Sequence, residues 1–330
     1  MGRQRFTYID RTKGLAIALV VLGHLVAREM PPGDGGQWYL VLKDAIYAFH
    51  MPLFMAVSGL VYGLSWQPSP TWQDDLRDTR RRVARLLPAY LLFGALIFVG
   101  KWTFQHLTGA VDNPVRGIED FGRLLLQPGI SFTSFLWYIY ALSLLYLLFP
   151  LAFRLVKGRV WVLLAVSAWF WLLPSGTWLA WDRLQTLAPF FLLGVWAGRH
   201  HERTLQVLRS LWLPALLGFA VLLPLASYGP PGFRWALATV SVLGLPGLLL
   251  RTERLPLSKL ETLGAYTLII YLTNTIIIGL MKVAAVKTGL WQSNYLLPLA
   301  GAMWIAATVG PIWLKRYLLP KIPPLDRITS

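Results

Sequence analysis

The sequence predicts an all-α, polytopic integral membrane protein, a helix bundle of about ten transmembrane helices with both termini cytoplasmic. Three observations carry that expectation. Of 330 residues, 56% are hydrophobic and only 14% are charged, against about a quarter charged in ordinary soluble domains. Too little polar surface is left to cover a water-soluble globule, and the mean hydropathy of +0.54 agrees. The apolar residues also recur in blocks of about twenty, the length that crosses a bilayer core. Finally, 31 Lys and Arg against 15 Asp and Glu give a formal charge of +16. In a soluble chain that excess would suggest nucleic acid, but here the cations sit in short segments between apolar blocks, where membrane topology places them. No nucleic-acid partner is expected. The absence of Cys excludes a disulfide framework, a thiolate metal site and a cysteinyl acyl-enzyme.

Ten blocks follow in order, at about 14–30, 46–64, 86–105, 135–153, 160–174, 184–199, 211–228, 233–250, 265–283 and 295–314. The first is preceded by Arg3, Arg5, Arg11 and Lys13, as a signal peptide would be. No small-residue cleavage site follows, and His24 interrupts the apolar run, so the block is expected to stay as a membrane helix. With the N-terminus inside, the inner segments collect most of the basic residues, among them Arg77, Arg80, Arg81, Arg82, Arg85, Arg154, Arg199 and Arg251. The outer loops and outer helix ends hold fewer, among them Arg28, Lys43, Lys101 and Arg183. The longest outer loop, about 106–134, carries Asp112, Glu119 and Asp120 and is placed to cover a site. No internal repeat, low-complexity tract or soluble module interrupts the series, so residues 1–330 read as a single transmembrane domain. Any chemistry then lies in or against the membrane.

Ionisable groups inside spanning helices are costly unless they pair or line a cavity, so each is a candidate. His24 lies some 15 Å into the first helix at 1.5 Å per residue. Lys13 and Asp10 precede it by eleven and fourteen positions, which at 100° per residue places both near its face. Arg11 points away. One stripe thus carries a carboxylate and an ammonium at the cytoplasmic mouth and an imidazole about three turns deeper. His50 opens the next helix at a comparable depth, so the two imidazoles could face one another as a base and a partner near one hydroxyl. A core histidine bonded to a neighbouring helix is the plainer account of each. No metal is expected, because the outer carboxylates lack close ligand spacing.

Three further groups stand out. The run Arg77 to Pro88, with Arg81, Arg82 and Arg85, suits either anionic headgroups or a clamp for phosphates. Trp137 and Tyr138 read either as an interfacial aromatic belt or as part of a site. Thr267, Tyr271 and Asn274 fall at i, i+4, i+7, a polar stripe that faces other helices.

The run Tyr8 to His24, with Asp10, Lys13-Gly14 and Gly23-His24, resembles the opening of the acyltransferase 3 family, in the branch described as fucose 4-O-acetylase-like. His50-Met51-Pro52-Leu53-Phe54 with Ser58-Gly59 is similar to its second motif, Leu136-Trp137-Tyr138 to a third, and Arg82 to Pro88 with Tyr90 to a fourth. Lys13 stands where the family often has Arg, and Asn274 where related proteins often have His. The resemblance implies an O-acyltransferase, acetyl by prior, that moves an acyl group from cytoplasmic acyl-CoA (acetyl-CoA) to a hydroxyl of a surface or exported glycan or a lipid-linked sugar, in a cell inner membrane. It implies His24 as general base, or as a transient acyl-histidine, with His50 beside it. Asp10, Lys13, Arg81, Arg82, Arg85, Ser58, Trp137, Tyr138, Tyr271 and Asn274 become donor- or substrate-binding candidates. Two other classes suit the same polar stripes: a transporter or flippase for a lipid-linked glycan, and a non-catalytic partner in polysaccharide assembly.

Overall fold

A computed structural model describes residues 6–26, 30–108, 111, 113–226, 229 and 231–329. Arg3, Arg5, Arg28 and Asp112 of the sequence reading lie outside the described residues. Within them the α-helices run in the order α1 (Thr7–His24), α2 (Gln37–Tyr47), α3 (His50–Ser65), α4 (Trp72–Thr108), α5 (Glu119–Leu126), α6 (Trp137–Leu155), α7 (Val160–Phe170), α8 (Trp181–Arg199), α9 (His201–Leu222), α10 (Pro231–Arg251), α11 (Ser258–Ala265), α12 (Thr267–Lys287), α13 (Leu296–Trp313) and α14 (Pro323–Ile328). No strand occurs among the described residues.

Each of the ten apolar blocks coincides with a helix: α1, α3, α4, α6, α7, α8, α9, α10, α12 and α13. Seven spans are long and apolar enough to cross a membrane, with α2 and α3 together forming one of them (Gln37–Ser65). The fold is therefore that of a polytopic helical membrane protein. The remaining three blocks fall short for visible reasons. α1 carries Asp10, Arg11 and Lys13 within its 18 residues, α7 has only 11, and α8 includes Asp182, Arg183 and Arg199. α4, with 37 residues, extends about 55 Å at 1.5 Å per residue. Its charged stretch before Leu86 thus lies beyond what a 30 Å hydrocarbon layer needs.

The contacts group the chain into two compact units, Met1–Ser58 with His200–Ile322 and Gly59–Arg199 with Pro323–Ser330. In the first unit α1 is the hub, packed against α2, α10, α11, α12 and α13. Ala16, Ile17, Val20 and Val21 form its buried face, each at most 1% exposed. The small residues explain why α11 comes so close. A Cβ on Gly14 would overlap the carbonyl oxygen of Leu260, and one on Gly264 would overlap that of Asp10, so the two backbones touch through a reciprocal pair of glycines. Gly264→Ala is expected to destabilise the protein by about 1–3 kcal/mol and to lower its thermal midpoint in detergent. An unchanged midpoint would mean that α1 and α11 part without cost.

Arg11 fastens the same end of α1. It is 3% exposed, and its Nε donates to Glu261 Oε1 at 2.9 Å while its terminal nitrogens donate to the carbonyls of Thr252, Glu253 and Leu255 at 2.6, 3.1 and 2.9 Å. The guanidinium that the helical geometry turns away from His24 is thus a staple to the segment between α10 and α11.

In the second unit α6 packs against α4, α7 and α8. α3 meets α8 through Gly59, Gly63 and Gly198, where an added Cβ would overlap backbone carbonyls of Phe191, Val195 and Leu60. The described residues between α4 and α6 are tied down. Lys101 Nζ donates to Asn113 O and Phe132 O, Gln105 pairs with both backbone groups of Val115, and the hydroxyls of Tyr90 and Tyr140 donate to the carbonyls of Leu124 and Leu125 at the end of α5.

Candidate active site

α1 ends at His24, and α2 determines how it ends. Tyr39, Lys43 and Tyr47 fall at i, i+4, i+8 on α2 and therefore along one face. The Tyr39 hydroxyl donates to Leu22 O at 2.8 Å and accepts from Val26 N–H at 3.1 Å. Lys43 Nζ donates to Val26 O at 2.7 Å and the Tyr47 hydroxyl to Gly23 O at 3.0 Å. The carbonyls that a helix C-terminus leaves without partners are thus satisfied by side chains of one neighbouring helix. The Lys43 ammonium also complements the negative end of the α1 dipole. A Cβ on Gly23 would collide with the Tyr47 ring, so the glycine before His24 is what lets α2 approach.

Asn274 on α12 holds the imidazole. Its Nδ2 donates to the carbonyls of Ile270 and Tyr271 at 2.9 and 2.7 Å. Both amide hydrogens are thereby engaged by groups that only accept, which leaves Oδ1 toward His24 Nδ1 at 2.9 Å. An amide oxygen can only accept, so Nδ1 carries the hydrogen and Nε2 the lone pair of the neutral ring. Asn274 is fully buried and Tyr271 4% exposed. His24 is half-buried.

His50 reaches the same tautomer by another route. Its Nδ1 lies 2.7 Å from the carbonyl of Ile46, so that nitrogen donates and Nε2 again carries the lone pair. The side chain is buried, at 3% exposure. Tyr47 links the two histidines, since its hydroxyl bonds the residue preceding His24 and its ring lies 5.1 Å from the His50 ring. The first unit therefore brings His24, His50 and Asn274 into one neighbourhood, each basic nitrogen being Nε2.

The other candidates are placed as follows. Lys13 Nζ bonds Asp10 Oδ1 at 3.0 Å at the opposite end of α1, about 16 Å from His24 by helical rise. Ser58 is half-buried on α3. In the second unit Arg82 is engaged: its Nε bonds Asp78 at 2.7 Å, its terminal nitrogens bond Ser65, and its guanidinium lies over the Tyr62 ring at 4.6 Å. Arg81 and Arg85 are exposed on α4. Trp137 carries the Arg183 guanidinium over its ring at 5.0 Å, and Tyr138 is buried. Among the described residues no group of three His, Asp or Glu side chains is placed to hold a metal ion. Tyr39, Lys43 and Tyr47 were not candidates from the sequence, although their i, i+4, i+8 spacing was there to be read.

The family model for an acyltransferase domain matches residues 6–315, and so takes in α1 with His24, α3 with His50 and α12 with Asn274. The chain belongs to the acyltransferase 3 family. Two curated relatives of this acyltransferase 3 chain are both described as nodulation protein NolL. The one from Sinorhizobium fredii is 35% identical over 220 residues, covering 64% of this chain and 56% of its own. The one from Mesorhizobium japonicum is 31% identical over 157 residues, covering 47% of this chain and 38% of its own. The matched region thus spans about half or less of these relatives. No solved structure matches the chain.

Proposed function

We propose that the protein is an O-acyltransferase that moves an acyl group, acetyl by preference, from cytoplasmic acyl-CoA to a hydroxyl of a surface or exported glycan or a lipid-linked sugar. The bilayer is then a cell inner membrane with both termini of the chain on its cytoplasmic side. One observation carries the reading. Asn274 holds the His24 ring with Nδ1 protonated, which presents Nε2 as a base at the membrane-embedded end of α1. In the proposed reaction Nε2 takes the proton of the acceptor hydroxyl as its oxygen attacks the thioester carbonyl. The tetrahedral intermediate then expels the CoA thiolate, which recovers the proton from the imidazolium. Asn274 Oδ1 supports the imidazolium while it carries that charge.

Lys13, oriented by Asp10, is the proposed contact for the donor's phosphates. Its ammonium supplies charge without the bidentate fork of an arginine. Lys13→Ala is expected to weaken acyl-CoA binding by about tenfold, the worth of one charge-assisted contact, with folding retained. Unchanged affinity would remove the residue from the donor site.

The overall test compares O-acetyl groups on surface glycans, by mass spectrometry, in cells with and without the protein. Acetylation present only with the protein is the expected result. Labelled lipid-linked glycan crossing the membrane with no acyl-CoA consumed would replace transfer by transport.

A further inference from the structure

The second unit holds a cluster of buried polar atoms that no described residue satisfies. The hydroxyl of Tyr62, the indole N–H of Trp66 and a terminal nitrogen of Arg199 each lie out of solvent with no hydrogen-bond partner among the described residues. Tyr62 and Trp66 are each 1% exposed. An unmade hydrogen bond at such a group costs about 1–3 kcal/mol, so three in one place call for an explanation. They are in one place. The Tyr62 and Trp66 rings stack with centroids 6.0 Å apart, and the Arg199 guanidinium lies 5.7 Å from the Trp66 ring and 5.0 Å from that of Phe153. Arg82 covers the other ring of the stack, at 4.6 Å from Tyr62.

The chemistry of the missing partner follows from the atoms. Trp66 Nε1 and the Arg199 nitrogen can only donate, so the partner is an acceptor. Charge makes it an anion. Asp78 is paired with Arg82 and Asp75 with Arg154, whereas Arg199 has no carboxylate partner among the described residues and is half-buried, with one side toward solvent. The cluster sits where α3, α6 and α8 end and where the charged stretch of α4 begins, the ends for which the cation distribution predicts the cytoplasmic side.

We infer that Tyr62, Trp66 and Arg199 form a binding site for a phosphate group. The phosphate has two chemical sources at such a place, a soluble nucleotide or the headgroup of an anionic lipid. The site is argued from the second unit alone and does not rest on acyl transfer through His24. Only the nucleotide source would connect it to the proposed donor.

The test uses the full chain in nanodiscs and reads binding, not transfer, so that its failure is distinct from failure of the proposed reaction. Adenosine 3′,5′-bisphosphate is titrated by calorimetry in phosphatidylcholine discs, and retained phosphatidylglycerol is counted by native mass spectrometry. Arg199→Gln is expected to weaken one of these ligands by about tenfold or more, and Tyr62→Phe, which keeps the ring and removes only the hydroxyl, by severalfold. Loss confined to the bisphosphate assigns the nucleotide source, and loss confined to phosphatidylglycerol assigns the lipid. Tyr62→Phe and Arg199→Gln proteins that bind both ligands as the intact protein does would overturn the site. If Arg199→Gln fails to fold, the Tyr62→Phe result decides alone.

Discussion

Replacing His24 by alanine is expected to lower acyl transfer by about 10²–10⁴-fold, the usual contribution of a positioned general base, with acyl-CoA binding little changed. The separation follows from the layout of α1. The imidazole is at one end, held by Asn274 at 2.9 Å, and the Asp10–Lys13 pair is at the other. Single-turnover transfer from labelled acyl-CoA in proteoliposomes gives the rate, and equilibrium binding gives the affinity. Asn274→Leu, which keeps the imidazole but removes the acceptor for Nδ1–H, is expected to lower the rate by a smaller factor, because Nε2 remains while the ring loses its orienting group and the support for its protonated form. A His24→Ala protein that reaches the membrane in equal amount and transfers acyl groups at the full rate would remove the imidazole from the chemistry.

Arg11→Met is expected to have the largest effect on folding, a loss of about 3–5 kcal/mol, as when one partner of a buried ion pair is removed. Four hydrogen bonds would be lost together, and the Glu261 carboxylate with three backbone carbonyls would be left facing an apolar side chain. Arg11→Lys is expected to rescue little, since an ammonium cannot span the fork that reaches Glu261 and the 252–255 segment at once. Thermal unfolding in detergent measures both. Equal midpoints for the intact and Arg11→Met proteins would show that the staple carries no stability.

The ten apolar blocks were legible because hydropathy over twenty residues reports directly on burial in lipid, and every block coincides with a helix. Four shorter helices were not, each for a local reason. α2 follows the breaker run Pro31-Pro32-Gly33-Asp34-Gly35-Gly36 and merges into α3, so no separate apolar block marks it. α5 and α11 have eight residues each and α14 has six, too few for a hydropathy signal. The helical phase that turned Arg11 away from His24 could be computed from sequence, but the carbonyls receiving it are some 240 residues distant. For the same reason the stripe on α12 was visible while the direction of Asn274 was not. Which partner a polar side chain faces depends on long-range packing, and one sequence does not encode that in any local pattern.

The cap on α1 also has a mechanical meaning. One short helix grips the carbonyls of Leu22, Gly23 and Val26 through Tyr39, Lys43 and Tyr47, and the next turn of chain presents His50 against the same Tyr47 ring. α2 is thus a shared brace, since one tyrosine on it meets both the carbonyl beside His24 and the ring of His50. Its opposite face, with Trp38 and Val41 exposed, is left for the surroundings of the protein.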